Sequence, residues 1–115
     1  MSTPAIIKLE GYKDIVLYKH NDGDPQSTMK WLQDFNKNFV KNRGDDNNYK
    51  FAQLIRSSAF DCEKYGLDNN RYTGWGVVNT SKTTYLSEFT CGSKFIYMLY
   101  KNGKVTVKAR GDLDV

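Results

Sequence analysis

Cysteine and histidine are scarce in this sequence, which narrows the kinds of site it can hold. Its 115 residues include two cysteines and one histidine. Two cysteines cannot form the disulfide framework of a small secreted protein. One histidine without a Cys-x-x-Cys spacing argues against a zinc site, and no acidic segment has the ligand spacing of a calcium loop. We therefore expect no metal and no other cofactor.

Long apolar runs are also missing. No stretch approaches the roughly 18 residues that a membrane crossing needs. The segment from Met1 to Ala5 has neither the basic region nor the apolar region of a signal peptide. The expectation is a cytoplasmic protein without a membrane partner.

The common catalytic motifs are absent as well. The chain contains no Gly-x-Ser-x-Gly elbow, no His-Glu-x-x-His pair and no Gly-x-x-x-x-Gly-Lys phosphate loop. His20 with Asp22 could be a base and the acid that orients it, but residues two apart in a turn rarely meet in that way. The motifs therefore favour a binding protein over an enzyme, and no catalytic residue is assigned.

Charge and aromatic content suit a binding role. The net charge is +4, which favours anionic partners such as phosphates or nucleic acid and excludes a strongly acidic DNA mimic. Aromatic residues make up 14% of the chain and include eight tyrosines, a residue that gives a large contact area and keeps a polar tip. The alternative is that a small two-layer fold places tyrosine at half-exposed positions.

The amino-terminal half predicts a hairpin and then two helices. Two β-rich runs, residues 5–10 and 14–20, form the hairpin. Asp24 followed by Pro25 marks the start of the first helix, with Ser27 as an alternative cap. The inward stripe of this helix has helical spacing and consists of Thr28, Leu32, Phe35 and Phe39.

The second predicted helix spans about residues 49–65, between a loop that begins at Gly44 and a stop at Gly66. The residues expected on its inward face are Phe51, Leu54, Ile55, Ser58, Cys62 and Tyr65. Phe60 points away from that face, so the first helix or a partner must cover it.

The carboxyl-terminal half predicts four strands, at residues 73–78, 83–89, 94–100 and 104–110. Asn102-Gly103 is a strong hairpin signal between the last two. Residues 95–100 are apolar on both faces, which predicts a central strand, whereas the last strand buries one face and exposes basic residues, namely Lys104, Lys108 and Arg110. The order ββααββββ predicts an α+β two-layer sandwich in a single domain, residues 1–115, with both helices on one face of an antiparallel sheet.

The junction between the hairpin and the first helix is the first candidate site. In the second strand, His20 should share a face with Tyr18. The following helix start offers unpaired N–H groups and the positive end of the helix dipole, which together bind anions. Asp22 and Asp24 oppose an anion unless the turn and the cap use them. The alternative is an ordinary turn with His20 as a surface side chain.

A second group of candidate residues supplies cations and rings. Arg56 and Arg71 are cations that could contact phosphate, and Tyr72 and Trp75 are rings that could stack on a base. Arg71 to Gly76 also bring guanidinium, rings and glycine backbone within six residues. The alternative is that Trp75 fills the core and that its flanking glycines let the backbone turn.

The junction also carries a resemblance. Residues 18–25 read Tyr-Lys-His-Asn-Asp-Gly-Asp-Pro, and this segment resembles the Tyr-x-His-x-Asp-Gly-x-Pro segment of small uncharacterised proteins encoded by phages and prophages. Further similar segments bring the resemblance to roughly residues 12–78: Trp31-Leu32, residues 42–46, residues 49–54 and residues 72–77. The resemblance implies a viral protein acting in the host cytoplasm, where such proteins commonly block host defences.

Three functional hypotheses follow. The first is a protein that binds and sequesters a small phosphorylated ligand, such as a nucleotide signal of host defence, through Tyr18, His20, Asp22, Arg56, Arg71, Tyr72 and Trp75. Homo-oligomerisation is expected if its pocket lies between protomers, because one small domain has little concave surface. The second is a protein–protein inhibitor of a host defence component, using the aromatic surface around Tyr49 and Phe60. The third is a nuclease or phosphodiesterase centred on His20.

Overall fold

A computed structural model describes residues 3–20, 22–61, 75–79 and 92–111, with the backbone alone for residues 59–61. This part of the chain forms two α-helices and five β-strands. In chain order they are β1 (Ala5–Leu9), β2 (Ile15–Lys19), α1 (Pro25–Arg43), α2 (Asn47–Asp61), β3 (Gly76–Asn79), β4 (Phe95–Leu99) and β5 (Val105–Ala109). The strand expected at residues 83–89 lies outside the described residues. Neither of these helices has the length and apolarity that a membrane crossing requires.

The strands form one sheet in the order β3-β2-β1-β4-β5. The two predicted hairpins are confirmed: β1 pairs antiparallel with β2, and β4 pairs antiparallel with β5. The apolar strand β4 lies between two others, as its two-sided pattern predicts. The α+β class, with both helices packed on one sheet face, is also confirmed.

The expectation of an entirely antiparallel sheet is wrong at one position. β1 and β4 run parallel, with Ala5 opposite Phe95 and Leu9 opposite Leu99. Parallel neighbours need a long crossover connection, and the two helices lie within the chain that separates β1 from β4. The sheet is therefore mixed, with a single parallel pair among the described strands.

The two faces of the sheet bury different residues. On the helix face, Ile7, Leu17 and Tyr97 pack with Leu32 of α1 and Leu54 of α2. On the opposite face a smaller cluster is buried, formed by Ile6, Val16 and Ile96 with Tyr18 and Val78 against it. The alternation within β2, with Leu17 facing one way and Val16 and Tyr18 the other, is the one that the strand period predicts.

Helix α1 begins and ends where the sequence predicts. The Asp24 carboxylate accepts hydrogen bonds from the backbone N–H and the hydroxyl of Ser27, at 3.2 and 3.1 Å, and Pro25 is the first helical residue. Gly44 ends the helix at φ 67°, a conformation that favours glycine. The inward stripe is buried at Thr28, Leu32 and Phe39, with Phe35 half-buried.

Helix α2 differs from its prediction. It begins at Asn47, and its fully buried positions are Lys50, Leu54 and Ser58. Ile55, expected on the inward face, is 37% exposed. The buried face of α2 is therefore rotated toward Lys50. The buried Lys50 ammonium donates a hydrogen bond to the carbonyl oxygen of Tyr100 at 3.3 Å. Cys62 and Tyr65 lie outside the described residues.

Candidate functional site

The backbone of the turn between β2 and α1 is fixed by three hydrogen bonds. The Gly23 N–H donates to the carbonyl oxygen of Thr3 at 2.8 Å, and the Gly23 carbonyl oxygen accepts from the Tyr97 hydroxyl at 2.6 Å. The Thr28 hydroxyl donates to the carbonyl oxygen of Asp22 at 2.5 Å. A Cβ on Gly23 would lie 2.5 Å from the Thr3 oxygen and 2.6 Å from Ala5 Cβ, so the turn has room for glycine alone.

Asp22 adopts φ 58°, the one positive φ of a non-glycine residue in the described part of the chain. Aspartate tolerates this left-handed conformation better than most residues do. The helix start therefore uses the Asp24 carboxylate, and the turn uses the backbone conformation and the carbonyl oxygen of Asp22. α1 has no further acidic residue in its first turn.

Tyr18 and His20 form a pair at the end of β2. The Tyr18 hydroxyl and His20 Nδ1 are 2.7 Å apart, and the two ring centroids are 5.8 Å apart. The prediction that the two residues share a face is therefore confirmed. The His20 ring is exposed, whereas Tyr18 is half-buried. Because the hydrogen bond engages Nδ1, Nε2 is the nitrogen that remains to meet a ligand.

The strand register brings cations to the same end of the sheet. The Lys94 N–H donates to the carbonyl oxygen of Pro4 at 2.8 Å, and the Arg110 N–H donates to that of Lys94 at 2.9 Å. These bonds continue the β1–β4 and β4–β5 ladders by one residue, so His20, Lys94 and Arg110 lie in one row across the sheet. Lys108 lies in the next row, opposite Ile96 and therefore on the face of Tyr18. We call these five residues the basic end: Tyr18, His20, Lys94, Lys108 and Arg110.

Trp75 lies on the other side of the sheet from this group. It is 8% exposed and belongs to the core cluster on the helix face. Its ring meets Trp31 edge-on at 5.3 Å, Lys19 Nζ lies 5.5 Å from its centroid, and its backbone N–H donates to the Ser58 hydroxyl at 3.2 Å. Trp75 is therefore buried as a core residue. This burial supports the alternative that Trp75 fills the core, and not the prediction that its ring stacks on a base.

The other candidate residues are not gathered at the basic end. Arg56 is exposed on α2, two positions from the buried residues Leu54 and Ser58 on either side and so on the outer face of the helix. Arg71 and Tyr72 lie outside the described residues. Of the seven proposed ligand residues, the structure therefore joins Tyr18 with His20, places Asp22 in the adjoining turn, and separates Trp75 and Arg56 from them.

A groove between the two helices was not predicted from the sequence. It has a volume of about 380 Å³ and is lined by one face of α1 and by the start of α2, through Phe35, Asn38, Phe39, Asn42, Arg43, Tyr49 and Gln53. The Arg43 guanidinium lies over the Tyr49 ring, 3.9 Å from its centroid, and Tyr49 is 42% exposed. In the sequence, aromatic and amide residues follow each other at helical spacing along α1, and this pattern places them on one face of the helix. The groove itself cannot be predicted from this pattern, because α2 forms its second wall.

Lys50 is the one fully buried lysine in the described residues. Burial lowers its pKa from 10.5, and attraction to Glu10 and Asp45 opposes the shift in part. Its Nζ lies 5.6 Å from the centroid of the Phe39 ring, which lines the groove. Its contacts with Tyr100 and Phe39 fix α2 against the sheet.

The described residues contain no group of three or more His, Cys, Asp or Glu side chains that could hold a metal ion. Comparisons with protein-family models, with curated proteins and with solved structures give no match.

Proposed function

We propose that this protein binds and sequesters a small phosphorylated ligand at the basic end, without transforming it. The observation that carries the proposal is the row formed by His20, Lys94 and Arg110, which follow or precede β2, β4 and β5 and are joined through Pro4 before β1. Neighbouring strands are about 4.8 Å apart, so the backbones of His20 and Lys94, separated by β1, are about 10 Å apart. Long side chains that start from such positions can close on one phosphate group or on a diphosphate.

The chemistry of these side chains suits an anion. Hydrogen bonds from a cationic donor to phosphate oxygens are about twice as strong as neutral ones. Arg110 adds a guanidinium fork, which can donate two parallel hydrogen bonds to a phosphate. The hydrogen bond between Tyr18 and His20 fixes the His20 ring, which reduces the entropy lost when His20 binds.

Binding without reaction is supported by the partner of His20. A catalytic base is usually oriented by a carboxylate that also stabilises the imidazolium. Here Nδ1 faces the neutral hydroxyl of Tyr18. In the viral setting that the phage resemblance implies, the ligand would be a nucleotide signal of host defence, held in the host cytoplasm away from its receptor.

Calorimetry tests the proposal. The wild-type protein should give a saturable signal with at least one member of a panel of inorganic pyrophosphate, nucleoside diphosphates and cyclic dinucleotides. His20→Ala should weaken that binding by about 1.5–3 kcal/mol while the protein remains folded. If His20→Ala instead binds normally and its melting temperature falls by several degrees, His20 is structural and the proposal is wrong.

A matched pair of lysines tests the location. Lys94 belongs to the basic end, whereas Lys104 lies at the other end of the β4–β5 hairpin, where its carbonyl oxygen accepts from the Tyr100 N–H. Lys94→Gln should weaken binding at every salt concentration. Lys104→Gln should weaken it only at low salt, because exposed charges are screened beyond about 8–10 Å. Equal effects of the two changes would place the ligand elsewhere.

Turnover is tested on the same samples. Chromatography of the bound nucleotide after prolonged incubation should recover it unchanged. Recovery of a hydrolysed product that disappears in His20→Ala would instead support the nuclease or phosphodiesterase hypothesis.

A further inference from the structure

We propose that the groove between α1 and α2 is a second binding site, which takes a purine base as its nucleoside and does not require a phosphate. The site is independent of the basic end. α1 has 19 residues and is therefore about 28 Å long. The basic end adjoins the start of this helix and the groove adjoins its end, so one mononucleotide cannot reach both.

The size and the walls of the groove suit a flat ring. Its volume of about 380 Å³ lies in the lower part of the range of roughly 300–1,000 Å³ that is usual for small ligands. The floor is aromatic: the Phe35 and Phe39 centroids are 6.2 Å apart with planes inclined by 26°, and Tyr49 follows 6.4 Å from Phe39. Phe39 is 7% exposed and fixed in the core, so the floor is formed before a ligand arrives.

The polar groups around this floor select a heterocycle over a hydrocarbon ring. Asn38, Asn42 and Gln53 each carry a donor and an acceptor in one plane, the pattern that a base edge presents. Arg43 adds guanidinium donors, which match the O6 and N7 acceptors of guanine. The electrostatic complementarity therefore favours a purine, and guanine above adenine.

Arg43 can reorient toward a ligand at a small cost in free energy. Its guanidinium stacks on Tyr49 and forms an ion pair with Asp46 at 3.3 Å, but both charged side chains are about half exposed, at 47% and 48%. An exposed pair of this kind contributes little to stability. The guanidinium now lies over the Tyr49 ring, so a base that stacks on this face takes its place and meets Arg43 at the base edge.

Nuclear magnetic resonance with guanosine as the probe tests the inference. Guanosine should shift the side-chain amide signals of Asn38, Asn42 and Gln53, whereas ribose 5-phosphate should leave them unmoved. Tyr49→Ala should weaken guanosine binding about tenfold or more, within the usual range for base–aromatic stacking. Ile55→Ala, a change at an exposed apolar residue of the same helix outside the groove, should bind normally.

Two further variants make the result decisive. Asn42→Ala changes an exposed residue and should weaken guanosine binding even if Tyr49→Ala disturbs the fold. His20→Ala should bind guanosine as the wild type does, which separates this inference from the proposed function. Groove signals that stay unmoved by guanosine would overturn the inference, as would a Tyr49→Ala protein that binds it normally. Capture of a host protein through Tyr49, with no response to guanosine, would make the groove a protein interface.

Discussion

Two turns at opposite ends of the sheet are held by buried side chains, but only one of the turns uses a charged side chain. At the start of α1, the neutral Tyr97 hydroxyl donates to the carbonyl oxygen of Gly23 at 2.6 Å. At the β4–β5 turn, the Asn36 amide and the Lys50 ammonium donate to the carbonyl oxygen of Tyr100 at 3.0 and 3.3 Å. Burial favours the neutral form of every titratable group, so it suits the first arrangement and penalises part of the second.

The pKa shifts follow this difference. Burial raises the pKa of Tyr97 above 10, with a further contribution from the Asp24 carboxylate and a smaller opposing one from Thr28. Burial lowers the pKa of Lys50 below 10.5. The phenol therefore stays protonated and keeps its hydrogen bond well into alkaline solution, whereas burial makes the charged form of Lys50 less favourable in the folded protein than in the unfolded chain. The lesson is that similar contacts can contribute stability with opposite dependence on pH.

The largest expected effect comes from filling the space at Gly23, in the turn that Tyr97 holds. Gly23→Ala would force a Cβ to within 2.5 Å of the Thr3 oxygen and displace the carbonyl that Tyr97 holds. We expect a loss of about 3 kcal/mol in the free energy of unfolding, measured by urea denaturation. Gly111→Ala is the control, because a Cβ there meets nothing within 4 Å. Similar stabilities of the two variants would show that the turn is not closely packed.

The second largest effect concerns Asn36 at the other turn. This residue is fully buried and its amide also donates to the carbonyl oxygen of Lys104, at 2.9 Å. Asn36→Ala removes both bonds, so the expected loss is about 2–3 kcal/mol in the same urea experiment. Asn38→Ala, an exposed position on the same helix, should change stability by less than about 0.5 kcal/mol. An Asn36→Ala protein as stable as wild type would show that Lys50 alone is enough to hold the Tyr100 carbonyl and the β4–β5 turn.

Tyr97→Phe tests the hydrogen bond between the Tyr97 hydroxyl and the Gly23 carbonyl through the pH dependence of stability. Below pH 10 the variant should be about 1–2 kcal/mol less stable, because the Gly23 carbonyl loses its buried donor. Above pH 10 the unfolded wild type ionises its phenol while the folded protein does not, so wild-type stability falls by about 1.4 kcal/mol per pH unit. The difference between the two proteins should therefore shrink at alkaline pH. A difference that stays constant from pH 8 to 11 contradicts the assignment.

Lys50→Met should change the free energy of unfolding least, and it should raise it where the other changes lower it. The buried charge penalises the folded protein fully below the lowered pKa, and this penalty disappears as the pH rises toward 10.5. At pH 7 the variant should be about 1 kcal/mol more stable than wild type, because the Tyr100 carbonyl keeps its bonds from Asn36 and from the Gly103 N–H. That advantage should decline as the pH rises through the lowered pKa of Lys50 toward 10.5, as followed by thermal unfolding. A variant that is less stable by the same amount at every pH would show that the lysine hydrogen bond outweighs its burial.

The features that the sequence predicts well are those with local causes. Asp24 and Pro25 set the start of α1, and Gly44 sets its end through a conformation that other residues avoid. The alternation of side chains along β2 is enough to put Tyr18 and His20 on one face. Each of these depends on residues a few positions apart, where steric and hydrogen-bonding preferences act directly.

The features that the sequence does not predict depend on partners remote along the chain. Lys50 is inward-facing because the Tyr100 carbonyl receives it, and Ile55 is left partly exposed by the same rotation of α2. The parallel pairing of β1 with β4 leaves no local mark, because both strands are apolar whichever direction they run. The basic end and the groove arise from these remote pairings. The sequence therefore joins Tyr18 with His20 and identifies Lys108 and Arg110 as exposed basic residues, but it does not bring the two groups together.

The parallel pair has a consequence for synthesis in the cell. Residue 5 leaves the ribosome long before residue 95, yet these two residues are opposite each other in the sheet. Until β4 emerges, β1 presents an apolar strand with one unpaired edge, a surface that invites aggregation. Pairing between such distant segments is also slow, because the long intervening chain must first be closed into a loop. The sheet is therefore completed only after β4 emerges, and a chain that stops between β3 and β4 would leave β1 open to other chains.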